Sequence, residues 1–377
     1  MAATEVKDDR KSAALAAQRV KPNQGARVIS RFGLAREILR STEMRQAGAG
    51  AEQAPRVDVE HRSVFFLDGE EHKRKRTAIA RFFTPKAIGT RYRTVMEHTS
   101  DQLLADMRAA GGGRLDTISF ELAVTVAADI VGLTDSNQAA MAKRIQGTLF
   151  GTYFLHRNAV LRRAAQLVSV VNGLRFFRSD VKPAIRARRK QRREDVISHL
   201  IDEGYPDKAI LIECMTYAVA GMVTTREFIV MAAWHLFEKD EVRERYLAAD
   251  EQGQLAILIE ILRLEPVAAM LHRRSNADGE LLAVSIRDAN VDESVVGGCP
   301  FAIDLDRPGA SPANTYMSFG DGSHRCPGAQ VALNETRVFL DRLFRVPGLR
   351  LTREPTMSWS DALMSYELRG ALVSCSR

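Results

Sequence analysis

A chain of 377 residues can bury a large core, and its 45% hydrophobic and 27% charged residues exclude a disordered or membrane-embedded protein. Its four cysteines, Cys214, Cys299, Cys326 and Cys375, are too sparse and irregular for a secreted disulfide framework, so a reducing cytoplasm is expected. The net charge of +7 admits an acidic partner, but the basic clusters carry no interleaved aromatics and no reading motif, which argues against nucleic acid.

The N-terminal stretch "MAATEVKDDRKSAALAAQRVK" has no apolar signal core, and roughly the first 25 residues are expected to be disordered. No uncharged run of about 18 apolar residues occurs, so no membrane anchor is expected. "ARVIS" (26–30) reads as a short β-branched strand. "EHKRKR" around Lys73 reads, taken alone, as a solvated helix face, and so do "HRNAVLRR" and "RARRKQRR". Three-four spacing of apolar residues predicts a helix over 92–110, stopped by Gly111, Gly112 and Gly113. The same pattern covers 118–132, 159–177, 194–203, 208–238 and 253–264. The stretch 208–238 is long and apolar on more than one side, which places it through the middle of a domain. "LLAVSI" (281–286) is a second strand, and 287–318, with Pro300, Pro308 and Pro312, is loop. No internal repeat divides the chain, so residues 1–377 are read as one mainly α domain with a small β portion, an α+β fold.

Near the C-terminus stands "FGDGSHRCPG", followed by the helical pattern "AQVALNETRVFLDRLF". Cys326 therefore sits in a glycine-shaped loop just before a helix N-terminus, where backbone N–H groups and the helix dipole favour a thiolate. A dinucleotide fingerprint starting at Gly320 fails, because its last glycine position is Arg325. A zinc site lacks a second Cys or His at chelating spacing. The residues alone leave Cys326 inert, nucleophilic with His324 as base, or a ligand.

The pattern Phe-Gly-x-Gly-x-His-x-Cys-x-Gly, met at Phe319, Gly320, Gly322, His324, Cys326 and Gly328, resembles the heme-binding loop of the cytochrome P-450 family. The resemblance implies that Cys326 is the axial ligand of a heme b iron. Further motifs recur in the family's chain order, over roughly residues 26–352. "EILR" places Glu260 and Arg263 three apart and is similar to the family's buried pair, with Arg307 of "FAIDLDR" as its second arginine. "LDGEEHKRKR" resembles the helix that binds a heme propionate, which assigns that role to His72 and Arg76; alignment of "LHRRSNADGEL" adds Arg273, with Arg274 as the alternative, and His324 of the loop is another candidate. "AVAGMVTTREF" matches the distal helix at Ala220, Gly221 and Thr224.

Two departures stand out. Val223 occupies the position of the family's acid, so proton delivery is expected from Thr224 with water, or from Glu227 three residues on. After "LLAVSI" a hairpin of the family's small sheet is trimmed. The resemblance implies a monooxygenase that inserts one oxygen atom of O2 into a small hydrophobic substrate. A monomer is expected, fed with electrons by an acidic ferredoxin or flavodoxin docking on a basic face. Residues 147–180 are expected to contribute to a lid whose aromatics are mostly core. Val223 keeps open peroxide-driven, isomerising, dehydrating or nitric-oxide-reducing chemistry, and a non-catalytic heme protein stands as the third reading.

Overall fold

The computed structural model describes residues 8–22, 25–48, 62–149, 159–307, 311, 314–361 and 364–377. Among them the expected helices form, with shifted ends. The pattern at 92–110 becomes Arg93–Ala110, closed by Gly111 in the left-handed region at φ 77°. Leu115–Val131, Val196–Asp202 and Glu251–Leu264 follow. Asp195 and Asp250 start the last two by accepting from the N–H groups of Ser198 at 2.8 Å and Gly253 at 2.8 Å.

The stretch Asp207–Glu238 is one continuous helical rod, long and apolar enough to cross a membrane by composition. Here it is the core helix: Phe228 to Ala233 are all buried. Its middle departs from the α-form. Asp207–Tyr217 and Thr224–Glu238 are α-helical, and Ala218–Val223 between them opens into a π-segment. Such bulges mark functional sites more often than chance.

Among the described residues nine short strands make the β portion, and two of them were predicted. These are β1 (Arg27–Ile29) and β5 (Leu281–Ser285), which pair in parallel. They join β4 (Met270–Ser275) and β2 (Met44–Ala47) in a sheet of order β1-β5-β4-β2. The others are three to five residues long; Thr356–Ser360 and Ser365–Arg369 alternate and pair as a hairpin that the sequence reading missed, whereas Arg350–Arg353 and Gly112–Arg114 carry no clear alternation. Their strand character comes from partners distant in sequence. The strand β5 runs directly into the helical turn Ile286–Ala289.

Two expectations are corrected. Residues 8–22 are not disordered: a helix spans Ala13–Arg19, and the residues before it are tied down. Asp9 accepts from Lys239 Nζ at 2.7 Å and from the Ile303 N–H at 2.9 Å. Lys11 pairs with Glu238, and buried Ser12 donates its N–H to Glu265 at 3.1 Å. Nor is "RARRKQRR" simply a solvated face. Arg188 is buried, paired with Asp195, and donates to Asp135 at 2.8 Å and to the Gly132 carbonyl at 3.0 Å.

Arg188→Met leaves the buried Asp195 carboxylate without its cation, and a loss of about 3–5 kcal/mol is expected in urea unfolding. Arg189→Met removes only a solvent-exposed pair with Asp207 and should cost less than about 1 kcal/mol. Equal effects at the two positions would refute the distinction.

Candidate functional site

The cysteine loop is shaped by close backbone packing. Gly320 and Gly322 both adopt positive φ, at 69° and 67°. A Cβ on Gly322 would lie 2.2 Å from the Leu39 carbonyl oxygen, so only glycine lets the loop rest on the end of the helix Phe32–Arg40. Asp321 accepts from the Gly322 N–H at 2.7 Å and pairs with Arg40 at 3.0 Å, which fastens the loop to that helix. The Cys326 N–H donates to the Phe319 carbonyl at 2.9 Å and closes the loop. Gly328 then opens the helix Ala329–Leu343, and a Cβ there would reach within 4.0 Å of the Cys326 sulfur.

Burial dominates the thiol. It pushes Cys326 above its ordinary pKa, against the lowering pull of the Gly328 N–H and of the Arg76 and Arg325 guanidiniums. The helix-terminus argument, which by itself favours a thiolate, is thus outweighed by desolvation. A thiolate at this sulfur calls for a further positive centre. Among the described residues no group of three or more His, Cys, Asp or Glu converges to hold a metal ion. A metal at Cys326 must bring its other ligands with it, as a porphyrin does.

The cations expected at 72, 76, 273 and 324 gather in one neighbourhood. His72 and Arg76 lie on the helix Gly69–Ala80. The His72 ring stacks on His324, with centroids 4.1 Å apart. His324 Nε2 lies 2.9 Å from Asp68. Burial, then the neighbouring His324 and Arg76, hold His72 down to about 4. Arg76 donates to the Arg325 carbonyl, and the pKa pull between it and Cys326 places it beside the thiol. Arg273 is buried on β4 and donates to Gln46 at 2.7 Å and to the His272 carbonyl at 2.9 Å. Desolvation lowers it to about 10.

Neither Arg76 nor Arg273 makes an ion pair among the described residues. Desolvated guanidiniums without a carboxylate are costly, so this pair fits a ligand that brings anionic oxygens. The carboxylates of a heme meet that need.

The central helix supplies a flat wall. Ala220 is exposed although its helix runs through the core, and a Cβ on Gly221 would meet nothing within 4 Å. The Thr224 hydroxyl donates back to the Ala220 carbonyl at 2.5 Å, within the π-segment. Val223 is buried.

Glu227 does not join Thr224, which corrects its expected role as a proton-delivering acid. Its side chain is buried, takes two bonds from Arg226 at 2.9 and 2.6 Å, and accepts from Arg369 at 2.7 Å and the Leu368 N–H at 2.7 Å. Four donors hold it as a structural anion that fastens the strand Ser365–Arg369 to the core.

Glu260, Arg263 and Arg307 do converge. Glu260 accepts from Arg263 at 2.8 Å through each oxygen and from Arg307 Nε at 2.9 Å. Arg263 also donates to the carbonyls of Asn290 at 3.1 Å and Pro300 at 2.7 Å, and Arg307 to that of Cys299 at 3.1 Å. Asn290 carries the order onward by bonding Ser318 at 2.8 Å and the Met317 N–H at 2.9 Å, immediately before Phe319.

Sequence reasoning missed Asp68, Gln46 and Asn290. Asp68 precedes Gly-Glu-Glu and reads as a helix N-cap, yet its side chain makes no cap bond and instead accepts from His324 and the Gln46 N–H. It also missed Glu213, which lies on the central helix and accepts from Ser63 at 3.1 Å and the Val64 N–H at 3.2 Å. Residues 150–158 of the expected lid lie outside the described residues.

The chain is 27% identical over 333 residues to nocardicin C N-oxygenase of Nocardia uniformis, covering 82% of this chain and 79% of that protein. It is 27% identical over 313 residues to a biotin biosynthesis cytochrome P-450 of Bacillus subtilis, with coverage of 78% and 75%. Mycinamicin IV hydroxylase/epoxidase of Micromonospora griseorubida matches at 25% over 94% of this chain and 90% of its own. Among solved structures, substrate-free CYP109E1 of Bacillus megaterium superimposes with a TM-score of 0.79 at 21% identity, covering 94% of each chain. A P-450 in complex with an acyl carrier protein ligated to hexadec-9Z-enoic acid gives 0.76 at 20% identity, covering 93% and 92%. No protein-family model matches the chain.

Arg263→Ala strands Glu260 and several carbonyls, and should cost about 3–5 kcal/mol in urea unfolding. Burial raises Glu213 to about 7 and Glu335, on the helix after the loop, to about 8. Both carboxyls then bind protons in the folded state that the unfolded chain has released. Stability should therefore fall as pH rises from about 5 to 7, by about 1.4 kcal/mol per pH unit for each group. Glu213→Gln with Glu335→Gln should flatten that slope in urea titrations, and an unchanged slope would refute the assignment.

Proposed function

The chain belongs to the cytochrome P-450 family, and on that premise we propose that it is a heme-thiolate monooxygenase acting on a small apolar organic substrate. The observation that carries this reading is the half-buried thiol of Cys326 beside Arg76, which, like the buried Arg273, makes no ion pair among the described residues. Heme, when bound, supplies the binding and reductive activation of O2.

Cys326 would hold the heme iron through its sulfur, and the Gly328 N–H would steady the negative charge there. Phe319, Gly320 and Gly322 hold the loop in place. Arg76, Arg273, His72 and His324 would take the propionate carboxylates by charge-assisted hydrogen bonds. Ala220 and Gly221 keep side chains off the macrocycle face. Glu260, Arg263 and Arg307 set the scaffold from which the loop hangs. Thr224 orders water on the substrate side: its own proton is engaged with the Ala220 carbonyl, which leaves its oxygen free to accept. Electrons come from an acidic ferredoxin or flavodoxin, matched to a chain with net charge +7. The substrate is a compound with few polar groups, and the protein works in the cytoplasm as a monomer.

A second reading has its own observation. Val223 replaces the acid, and Glu227 is locked away by four donors, so neither position offers Thr224 a free carboxylate to reload it with protons. Peroxide, which arrives already protonated and reduced, relieves that demand.

The test begins with spectroscopy. Reduced holoprotein treated with carbon monoxide should develop the red-shifted Soret band of thiolate-ligated heme, and Cys326→Ser should not. Wild type that folds, takes up heme and never gives the band would end the proposal. Substrates chosen by ligand-induced Soret shift should then turn over with NAD(P)H and a ferredoxin system. Turnover with peroxide alone would replace the monooxygenase reading by the second one.

A further inference from the structure

The helix Ala159–Phe176 is built inside out. Of ten exposed large hydrophobic residues among the described ones, seven belong to it: Val160, Leu161, Leu167, Val168, Val170, Val171 and Leu174. Leu167 is 64% exposed and Val160 77%. The opposite side, turned to the protein, carries Ala165, Ser169, Asn172 and Phe176. A Cβ on Gly147 of the neighbouring helix would sit 2.6 Å from Asn172, which shows how closely that inner side packs. Burial normally takes the opposite choice, because each apolar side chain left in water forfeits on the order of 1.5–3 kcal/mol. A patch of this kind marks a surface that meets another medium.

Three features decide which medium. At 100° per residue the exposed aliphatic positions span an arc of roughly 180°, far wider than the narrow seam of a two-helix coiled coil. The residues are all Val and Leu, with none of the Trp, Tyr or Met anchors that dominate protein interface cores. The helix contains no acidic residue, while Arg163, Arg175 and Arg178 are exposed and make no ion pair among the described residues. A two-fold contact with a second copy would set these cations against themselves. A broad aliphatic face with Arg163 and Arg175 set about 60° to either side of its centre suits a helix lying in the plane of an anionic bilayer surface, the long side chains carrying their guanidinium ends up to the headgroups.

We propose that the outward face of Ala159–Phe176 docks this protein reversibly on an anionic lipid surface.

The test uses the full-length holoprotein and cosedimentation with vesicles. Binding should be on the order of a hundredfold tighter to vesicles containing phosphatidylserine than to pure phosphatidylcholine, and should weaken with salt. Leu167→Glu with Leu174→Glu should abolish it while leaving circular dichroism and thermal unfolding unchanged, since both positions are solvent-facing. Arg163→Glu with Arg175→Glu, which spares the aliphatic face, should remove the preference for phosphatidylserine. The proposal is overturned if neither vesicle binds, or if the Leu→Glu pair binds like wild type. It is also overturned if wild type sediments as a dimer that this pair dissociates, which would assign the face to a second copy.

Discussion

Everything at the site hangs on one buried carboxylate. Glu260 accepts from Arg263 and Arg307, and the two guanidiniums spend their remaining donors on carbonyls between Asn290 and Ala302. That segment has little regular structure to satisfy its own backbone, so the arginines do what a ladder of strands would do elsewhere. The ion pair is better understood as a template than as a source of stability, since two desolvated charges roughly cancel their own attraction. What it secures is the path of the chain from Asn290 through Ser318 into the cysteine loop. The position of one sulfur thus depends on a carboxylate 66 residues earlier in the chain, counting from 260 to 326.

The site itself is electrostatically lopsided. Two arginines converge with His324 and a neutral His72 where, among the described residues, Asp68 is the carboxylate that answers, and Asp68 is committed to His324 and a backbone N–H. Burial raises its pKa, but those bonds outweigh the penalty and keep it below the usual carboxylate range. A protein seldom concentrates desolvated cations without purpose. Their excess, the uncrowded π-segment of the central helix and the single thiol are three separate features that all suit one planar dianionic cofactor.

Much of this was legible in the sequence, for identifiable reasons. The cysteine loop was readable because positive φ and close packing allow only glycine at 322, and such requirements leave a fixed pattern. Long helices were readable from their apolar period. Glu227 was misread because a spacing of three residues says nothing about competing partners, and Arg369, which holds it, is 142 positions away. The same blindness hid the polar inner face of Ala159–Phe176 and turned Arg188 into surface charge. Short strands escaped because a segment such as Arg350–Arg353 is defined by its neighbour.

The N-terminal anchoring has a consequence for how the molecule is assembled. Ser12 meets a partner 253 residues downstream, and Asp9 one that is 294 residues downstream. During synthesis this segment therefore waits for these partners until most of the downstream chain exists. It closes over the end of the central helix and the loop at 301–303 as a late clasp, joining two regions that no nearby stretch of backbone connects.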